Sequence, residues 1–255
     1  MGVLNITPDS FSDGGKFNNL SKALQHAEMM IDNGVDIIDI GAESTRPGAK
    51  ITPIDMEKER IEPVIKAIKK DFNIPVSIDT YKSEIMELGI DLGVDMVNDI
   101  YALRQPRCLE AVLNSDIMIC LMHMKGSPQD MQLNPSYKDV ALEVEQFLQE
   151  RIIICEEFGI DKSRIILDPG FGFGKTYENN LKLFQSIDKL NSLSKPLLIG
   201  VSRKSMVRRI VGDGESDIIY GSAIMAAISI LRGARIVRVH DIKETKNALK
   251  ILQLK

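Results

Sequence analysis

Residues 76–100 read VSIDTYKSEIMELGIDLGVDMVNDI. The stretch opens on the β-branched run Val76–Ile78, passes through an amphipathic segment over Lys82–Leu92 and returns to an apolar run at Met96–Asn98. Gly93-Val94-Asp95 marks the turn between them, since a glycine just past a helix end takes the left-handed conformation that closes it. A strand, a helix and a second strand joined this tightly form a βαβ unit, whose strands lie parallel.

The same unit recurs on both sides. Periodicity predicts further strands at Val3–Asn5, Ile37–Ile40, Met118–Met122, Ile165–Leu167, Leu197–Val201 and Ile236–Val239. Helical patterns fall at Ser21–Asn33, Met56–Lys70, Arg107–Asn114, Lys138–Phe158, Asn179–Asn191, Ser216–Arg232 and Ile242–Leu254. Glycine turns return at Asn33-Gly34-Val35-Asp36 and Arg232-Gly233-Ala234. Strand–helix alternation repeated about eight times in 255 residues predicts a TIM (β/α)8 barrel, an α/β single domain over residues 1–255. A doubly wound open sheet is the rival, and it usually needs fewer units.

Composition narrows the function. Hydrophobic residues make up 44% and charged residues 27%, ordinary for a globular protein large enough to need no disulfide or metal staple. The net charge of −4 argues against a nucleic-acid footprint or an acidic-membrane patch. Aromatics at 5%, with no Trp, argue against a base-stacking surface. The cysteines Cys108, Cys120 and Cys155 form no C-x-x-C pair and read as reduced packing residues of a cytoplasmic protein. No apolar run reaches the roughly 18 residues of a membrane span, and the N-terminus has no signal-peptide pattern. Met1-Gly2 does not make a myristoylation site, because Ile6 stands where Ser or Thr is required.

The chemistry lies in the polar residues that close each apolar run. The strands end in Asn5, Asp79, Asn98-Asp99, His123, Asp168, Ser202-Arg203-Lys204 and Arg238 with His240. Each alone could cap a turn. In a barrel they converge on the C-terminal face, where active sites are built and where the loops after strands seven and eight often hold phosphate. Arg203, Lys204, Arg238 and His240 supply cations there, with Arg46 approaching from the second loop, and suit an anionic group. Asp79, Asn98 and Asp168 suit a flat heterocycle with ring N–H groups, since a carboxylate accepts two hydrogen bonds in one plane.

Several tempting motifs fail. Residues 168–176, DPGFGFGKT, resemble a P-loop, but that motif needs Gly where Pro169 stands. A dinucleotide fingerprint fails because Lys175 and Tyr177 occupy the place of its last Gly. His26, His123 and His240 have no cysteine partners and make no zinc set, His26 reading as a surface or packing residue. Mg²⁺ remains compatible, held by substrate phosphate, water and one protein oxygen, for which Asn5 is the natural donor. Asn5-Ile6-Thr7 is also a glycosylation sequon, discounted in a cytosolic chain.

With these residues assembled, the sequence resembles the dihydropteroate synthases, most closely in bacterial wording. The resemblance runs through MGVLNITPDSFSDGG (1–15), IIDIGAESTRPG (37–48), VSIDTYK (76–82), VNDI (97–100), CLMHMKG (120–126), ILDPGFGFGK (166–175), GVSRKSM (200–206) and IVRVHDIKE (236–244). It implies condensation of 6-hydroxymethyl-7,8-dihydropterin diphosphate with p-aminobenzoate, giving 7,8-dihydropteroate and diphosphate in folate biosynthesis. It implies that Asp79, Asn98 and Asp168 hold the pterin edge, with Lys204 at the ring carbonyl and Ile100, Met122, Phe173 and Gly200 lining the slot. Arg238 and His240 would bind the diphosphate, and Asn5 would contribute to it and to Mg²⁺. Phe11, Thr45, Arg46, Pro47 and Ser202 would belong to the p-aminobenzoate region. Asp13, Lys204 and Arg238 are the catalytic candidates for a dissociative substitution at the pterin methylene carbon. The family is a sulfonamide target, and the resemblance further implies a homodimer formed by helices late in the chain.

Two departures are visible. Family members usually carry a segment before the first strand, so its lack here is expected to leave the barrel bottom uncovered. Ala42 stands where the family often has Gly, and a small adjustment of the second loop is expected. The pterin-binding domain of corrinoid methyltransferases should lack the STRPG loop and the SRK segment, both present here. A non-catalytic pterin or phosphate binder should have lost the loop residues Phe11, Ser12, Asp13, Thr45, Arg46 and Lys204.

Overall fold

A computed structural model of the chain describes residues 1–7, 16–45 and 48–253. Eight strands lie in it: β1 (Gly2–Asn5), β2 (Ile38–Gly41), β3 (Val76–Asp79), β4 (Met96–Asp99), β5 (Met118–Met122), β6 (Ile165–Asp168), β7 (Leu198–Ile199) and β8 (Ile236–Val237). The helices are α1 (Lys16–Asp32), α2 (Ile54–Asp71), α3 (Ser83–Asp91), α4 (Cys108–Leu113), α5 (Val140–Phe158), α6 (Tyr177–Gln185), α7 (Ser205–Val211), α8 (Glu215–Leu231) and α9 (Ile242–Leu252).

β1 to β6 pair in sequence order, all parallel, and β7 pairs with β8. Two bridges close the ring. Leu167 faces Leu197, and Gly2 faces Val239, with Val3 N donating to Val239 O at 3.1 Å and Val239 N to Met1 O at 3.0 Å. The expected (β/α)8 barrel is the observed fold.

The strands are short and buried on both faces, as parallel strands beneath a coat of helices must be. Their alternation sorts residues to two cores. Outward-facing Ile38, Ile40, Ile78, Val97, Ile119 and Leu167 join the helices in one large cluster. Inward-facing Met96, Cys120, Ile166 and Leu198 pack with Met1 inside the lower barrel. Gly89 lets α3 approach β3, since a Cβ there would stand 2.4 Å from Ile78 Cδ1. The three cysteines are buried free thiols, in keeping with their spacing.

Element boundaries shift in informative places. The helix expected at Asn179–Asn191 is α6 followed by a 3₁₀ helix, Ile187–Leu193. Ser186 N–H bonds back to Leu183 O at 3.0 Å and tightens the turn between them. β7 is shorter than its apolar run, although Leu197 O still accepts from Arg235 N and Ile236 N. α7 has no signal in the sequence, because seven residues after SRK are too few to show a period. Among the described residues no single helix is long and apolar enough to cross a membrane; α7 and α8 pass such a test only as a pair bent by 112°.

Candidate active site

The mouth is built on one rung of the ladder. Asn5 is in register with Gly41, Gly41 with Asp79, and Asp79 with Asn98. Met122 and Asp168 are paired at the ends of β5 and β6. Parallel strands of matched register bring these positions to the same face and height. A Cβ on Gly41 would stand 3.5 Å from both Asn5 Oδ1 and Asp79 Cβ, so the glycine keeps open the space between them.

Arg238 spans this rung. Its Nη2 donates to Asp79 Oδ2 at 2.8 Å and its Nε to Asp39 Oδ2 at 2.6 Å. Burial acts to lower the guanidinium, but the flanking Asp39 and Asp79 more than offset it, so Arg238 stays charged. Burial pushes the Asp79 carboxyl well above the ordinary range, against the pull of Arg238 and with the charge of Asp39 adding to it. Asp39 Oδ2 also accepts from Asn98 Nδ2 at 3.2 Å. The network therefore orients the amide with Asn98 Oδ1 as an acceptor, and that buried oxygen has no partner among the described residues.

The opposite wall carries Asp168 and Lys204. Asp168 Oδ1 accepts from Gly170 N at 2.7 Å, and burial raises its carboxyl. Lys204 Nζ donates to Phe171 O and lies 4.9 Å from the centroid of the Phe173 ring. Burial lowers the Lys204 ammonium to about 8. Ile100, Met122 and Phe173 meet in one apolar cluster with Met124, Met131, Tyr81 and Tyr101. A Cβ on Gly200 would lie 3.9 Å from both Lys204 Nζ and Arg238 Cβ, so this glycine leaves room between the two cations.

His240 sits beside Arg238 with its Nδ1 3.0 Å from Ser202 Oγ. Ser202 Oγ also accepts from His240 N at 3.2 Å, so one hydroxyl meets both the backbone and the ring of this histidine, and the direction of the ring bond follows the imidazole tautomer. Burial, then Arg238, lowers His240 to about 4, leaving a neutral imidazole. Ser202, expected beside p-aminobenzoate, is buried and bonded to His240.

Three strand-end groups expected at the mouth lie elsewhere. His123 follows inward-facing Met122 and so turns outward, meeting Phe147 of α5 edge-on at 4.9 Å. Its Nδ1 lies 2.9 Å from Lys175 Nζ, which also donates to Gly170 O at 2.7 Å and Phe173 O at 3.1 Å. Lys175 thus ties down the glycine run from behind. Arg203 pairs with Asp241, at 3.0 Å from Nε and 2.5 Å from Nη2, and its backbone N donates to Ser222 of α8. It belongs to the helix side and not to the cation cluster. Asp99 is buried and accepts from the backbone N–H groups of Tyr101 and Leu103, a turn cap.

Thr45 is half-buried in the loop after β2. Phe11, Asp13, Arg46 and Pro47 lie outside the described residues. Sequence reasoning missed Asp39, whose signal was a carboxylate alternating with Ile38 and Ile40 in a strand buried on both faces. Among the described residues no three His, Cys, Asp or Glu are placed to hold a metal. Asn5 and Asp79 beside Gly41 still suit a hard cation that draws its remaining oxygens from a phosphate and water.

A barrel mouth that pairs carboxylates and an oriented amide with deeply set cations defines an enzyme for a polar ring bearing an anionic group. The family described as "Pterin binding enzyme" matches residues 1–240. The dihydropteroate synthase of Escherichia coli (strain K12) is 44% identical over 253 residues, 99% of this chain and 90% of its own length. A crystal structure of the Yersinia pestis dihydropteroate synthase with a sulfonamide drug superposes with a TM-score of 0.94 at 43% identity, covering 99% of this chain and 92% of that one. The Xanthomonas albilineans dihydropteroate synthase with 4-aminobenzoic acid gives 0.93 at 42% identity, covering 99% and 91%. The chain belongs to the dihydropteroate synthase family of pterin-binding enzymes.

Proposed function

We propose that the protein is a transferase that condenses 6-hydroxymethyl-7,8-dihydropterin diphosphate with p-aminobenzoate, releasing diphosphate and forming 7,8-dihydropteroate for folate biosynthesis. The observation that carries this reading is the convergence of Asp79, Asn98 and Asp168 with Lys204 and Arg238 on one mouth. Asp79, Asp168 and the Asn98 oxygen accept from the pterin N–H edge, and Lys204 donates to the ring carbonyl. Ile100, Met122, Phe173 and Gly200 form the slot around the ring. Arg238 and the Nε2–H of His240 take the diphosphate. Phe11, Thr45, Arg46 and Pro47 form the p-aminobenzoate side, with Ser202 acting there through His240.

Cations fixed where negative charge grows on the leaving diphosphate lower the barrier to breaking the methylene C–O bond. Arg238 is pre-oriented for this by Asp39 and Asp79, and Lys204 is held toward the ring by Phe171 O, so little reorganisation accompanies charge separation. Asp13 offsets the positive charge that develops on the pterin methylene. The neutral amine of p-aminobenzoate then attacks without a strong base. Mg²⁺ bound at Asn5 would neutralise charge on the diphosphate.

The family likeness and the apolar stripe on α8 support a homodimer. Tyr220 is 62% exposed and Ile224 and Leu231 each 57%, spaced to lie along one face, with Ile210 and Ile251 exposed on the adjoining α7 and α9. The protein works in the cytoplasm on small molecules, without nucleic acid or membrane.

The test is turnover with both substrates and Mg²⁺, read as dihydropteroate by mass spectrometry and as diphosphate by a coupled assay. Equal amounts of both, dependent on p-aminobenzoate, are expected. Tight pterin binding without either product would overturn the enzyme reading.

A further inference from the structure

The loop after β2 is closed at its base by a knot of charges outside the mouth. Its centre is Lys82, one residue before α3, whose side chain is only 10% exposed. Lys82 Nζ donates to Glu43 Oε2, to Glu57 Oε2 at 2.6 Å and to Thr52 O at 2.6 Å, using all three of its hydrogens. Glu43 Oε2 also accepts from Thr52 N at 3.1 Å, and Oε1 from the Tyr81 hydroxyl at 2.6 Å. Glu57 Oε1 accepts from Thr80 Oγ1 at 3.0 Å.

The connectivity explains what the knot holds. Both backbone groups of Thr52 end in it, as does Glu43, so the chain between positions 43 and 52 leaves and returns at one point. Glu43 stands two residues beyond Gly41, which is itself in register with Asn5 and Asp79 at the mouth. On the loop's far side Gly48 N donates to Pro128 O at 3.1 Å. A sheltered ammonium between two carboxylates holds direction as well as charge, and its removal would leave Glu43 and Glu57 repelling across the same space.

We infer that Lys82 is a positioning residue for p-aminobenzoate. It touches neither substrate, and it acts by locking Glu43 and Thr52 so that the loop bearing Thr45 keeps its place over the mouth. The inference rests on the proposed function, which assigns Thr45 to the p-aminobenzoate side. The hydrogen-bonding pterin residues Asp79, Asn98 and Asp168 are on β3, β4 and β6 and Lys82 bonds none of them, while Tyr81 links the knot to the pterin slot only through its hydroxyl on Glu43, so the effect should fall mainly on p-aminobenzoate.

The experiment is steady-state kinetics with each substrate varied, on the parent, Lys82→Met and Lys82→Met/Glu43→Gln, with melting temperatures alongside. Lys82→Met should raise KM for p-aminobenzoate at least tenfold and leave KM for dihydropterin diphosphate within twofold. In the double variant the amide introduced at position 43 can donate to Glu57, so at least threefold of the loss should return. If Lys82→Met does not fold, Glu43→Gln alone decides on the same split, with about a threefold rise for p-aminobenzoate expected. An equal rise in both KM values, or no rise in either, overturns the inference. A parent that turns over nothing contradicts the function itself and takes the inference with it.

Discussion

Arg238 Nη2 donates to Asp79 Oδ2 at 2.8 Å across the barrel mouth, so the cation assigned to the diphosphate is bonded to a carboxylate assigned to the pterin edge. The two halves of the substrate are therefore read by groups that orient each other. Arg238→Ala should weaken binding of dihydropterin diphosphate by at least tenfold, and binding of the pterin alcohol, which lacks diphosphate, by only a few-fold. Competition binding with both ligands checks this. Equal losses would mean that Arg238 serves the ring as much as the phosphate.

The acid–base limits of the reaction arise from the same groups. Asp79, raised by burial, must be ionised to accept from the ring, so kcat/KM for the pterin substrate should fall on acidification earlier than for an ordinary carboxylate. Lys204 is charged below about 8, so activity should fall again as pH rises through that value. Lys204→Arg should move the alkaline fall upward, because a guanidinium does not deprotonate there. A pH profile of kcat/KM for parent and variant would show it.

Ser202 Oγ bonds both the Nδ1 and the backbone N of His240, and where the hydroxyl donates to Nδ1 the ring hydrogen stays on Nε2, free to meet the diphosphate. Ser202→Ala frees the imidazole to take either tautomer, and KM for dihydropterin diphosphate should rise about fivefold, the scale of one lost hydrogen bond of about 1 kcal/mol. Binding of the pterin alcohol should not change. Isothermal titration with each ligand separates the two.

The glycine run after β6 makes a stability prediction. A Cβ on Gly170 would lie 1.8 Å from His123 O, at φ +69°, while Gly212, at φ +92°, has nothing within 4 Å. Gly170→Ala should cost about 3 kcal/mol or more, since backbone must move, and Gly212→Ala only about 1–2 kcal/mol for its conformation. Thermal melts of the pair should show a drop for Gly170→Ala at least twice that for Gly212→Ala.

The site was legible where it depends on strand direction and alternation. Asn5, Asp79, Asn98 and Asp168 end apolar runs, and in a parallel barrel that alone sends them to one mouth. The same rule misplaces His123, because the inward residue at the end of β5 is Met122 and its neighbour must face α5. Asp39 stayed hidden within an apolar strand, since its partner Arg238 lies at the other end of the chain. Lys82, Glu43 and Glu57 look like solvated surface charges for the same reason: only the closed fold brings them together.

The most direct measurement is calorimetric titration of dihydropterin diphosphate into the parent and into Asp79→Asn, without p-aminobenzoate. At least tenfold weaker binding is expected in the variant, with the melting temperature showing that the barrel is intact. Unchanged affinity in Asp79→Asn would contradict the assignment of this mouth to a pterin edge.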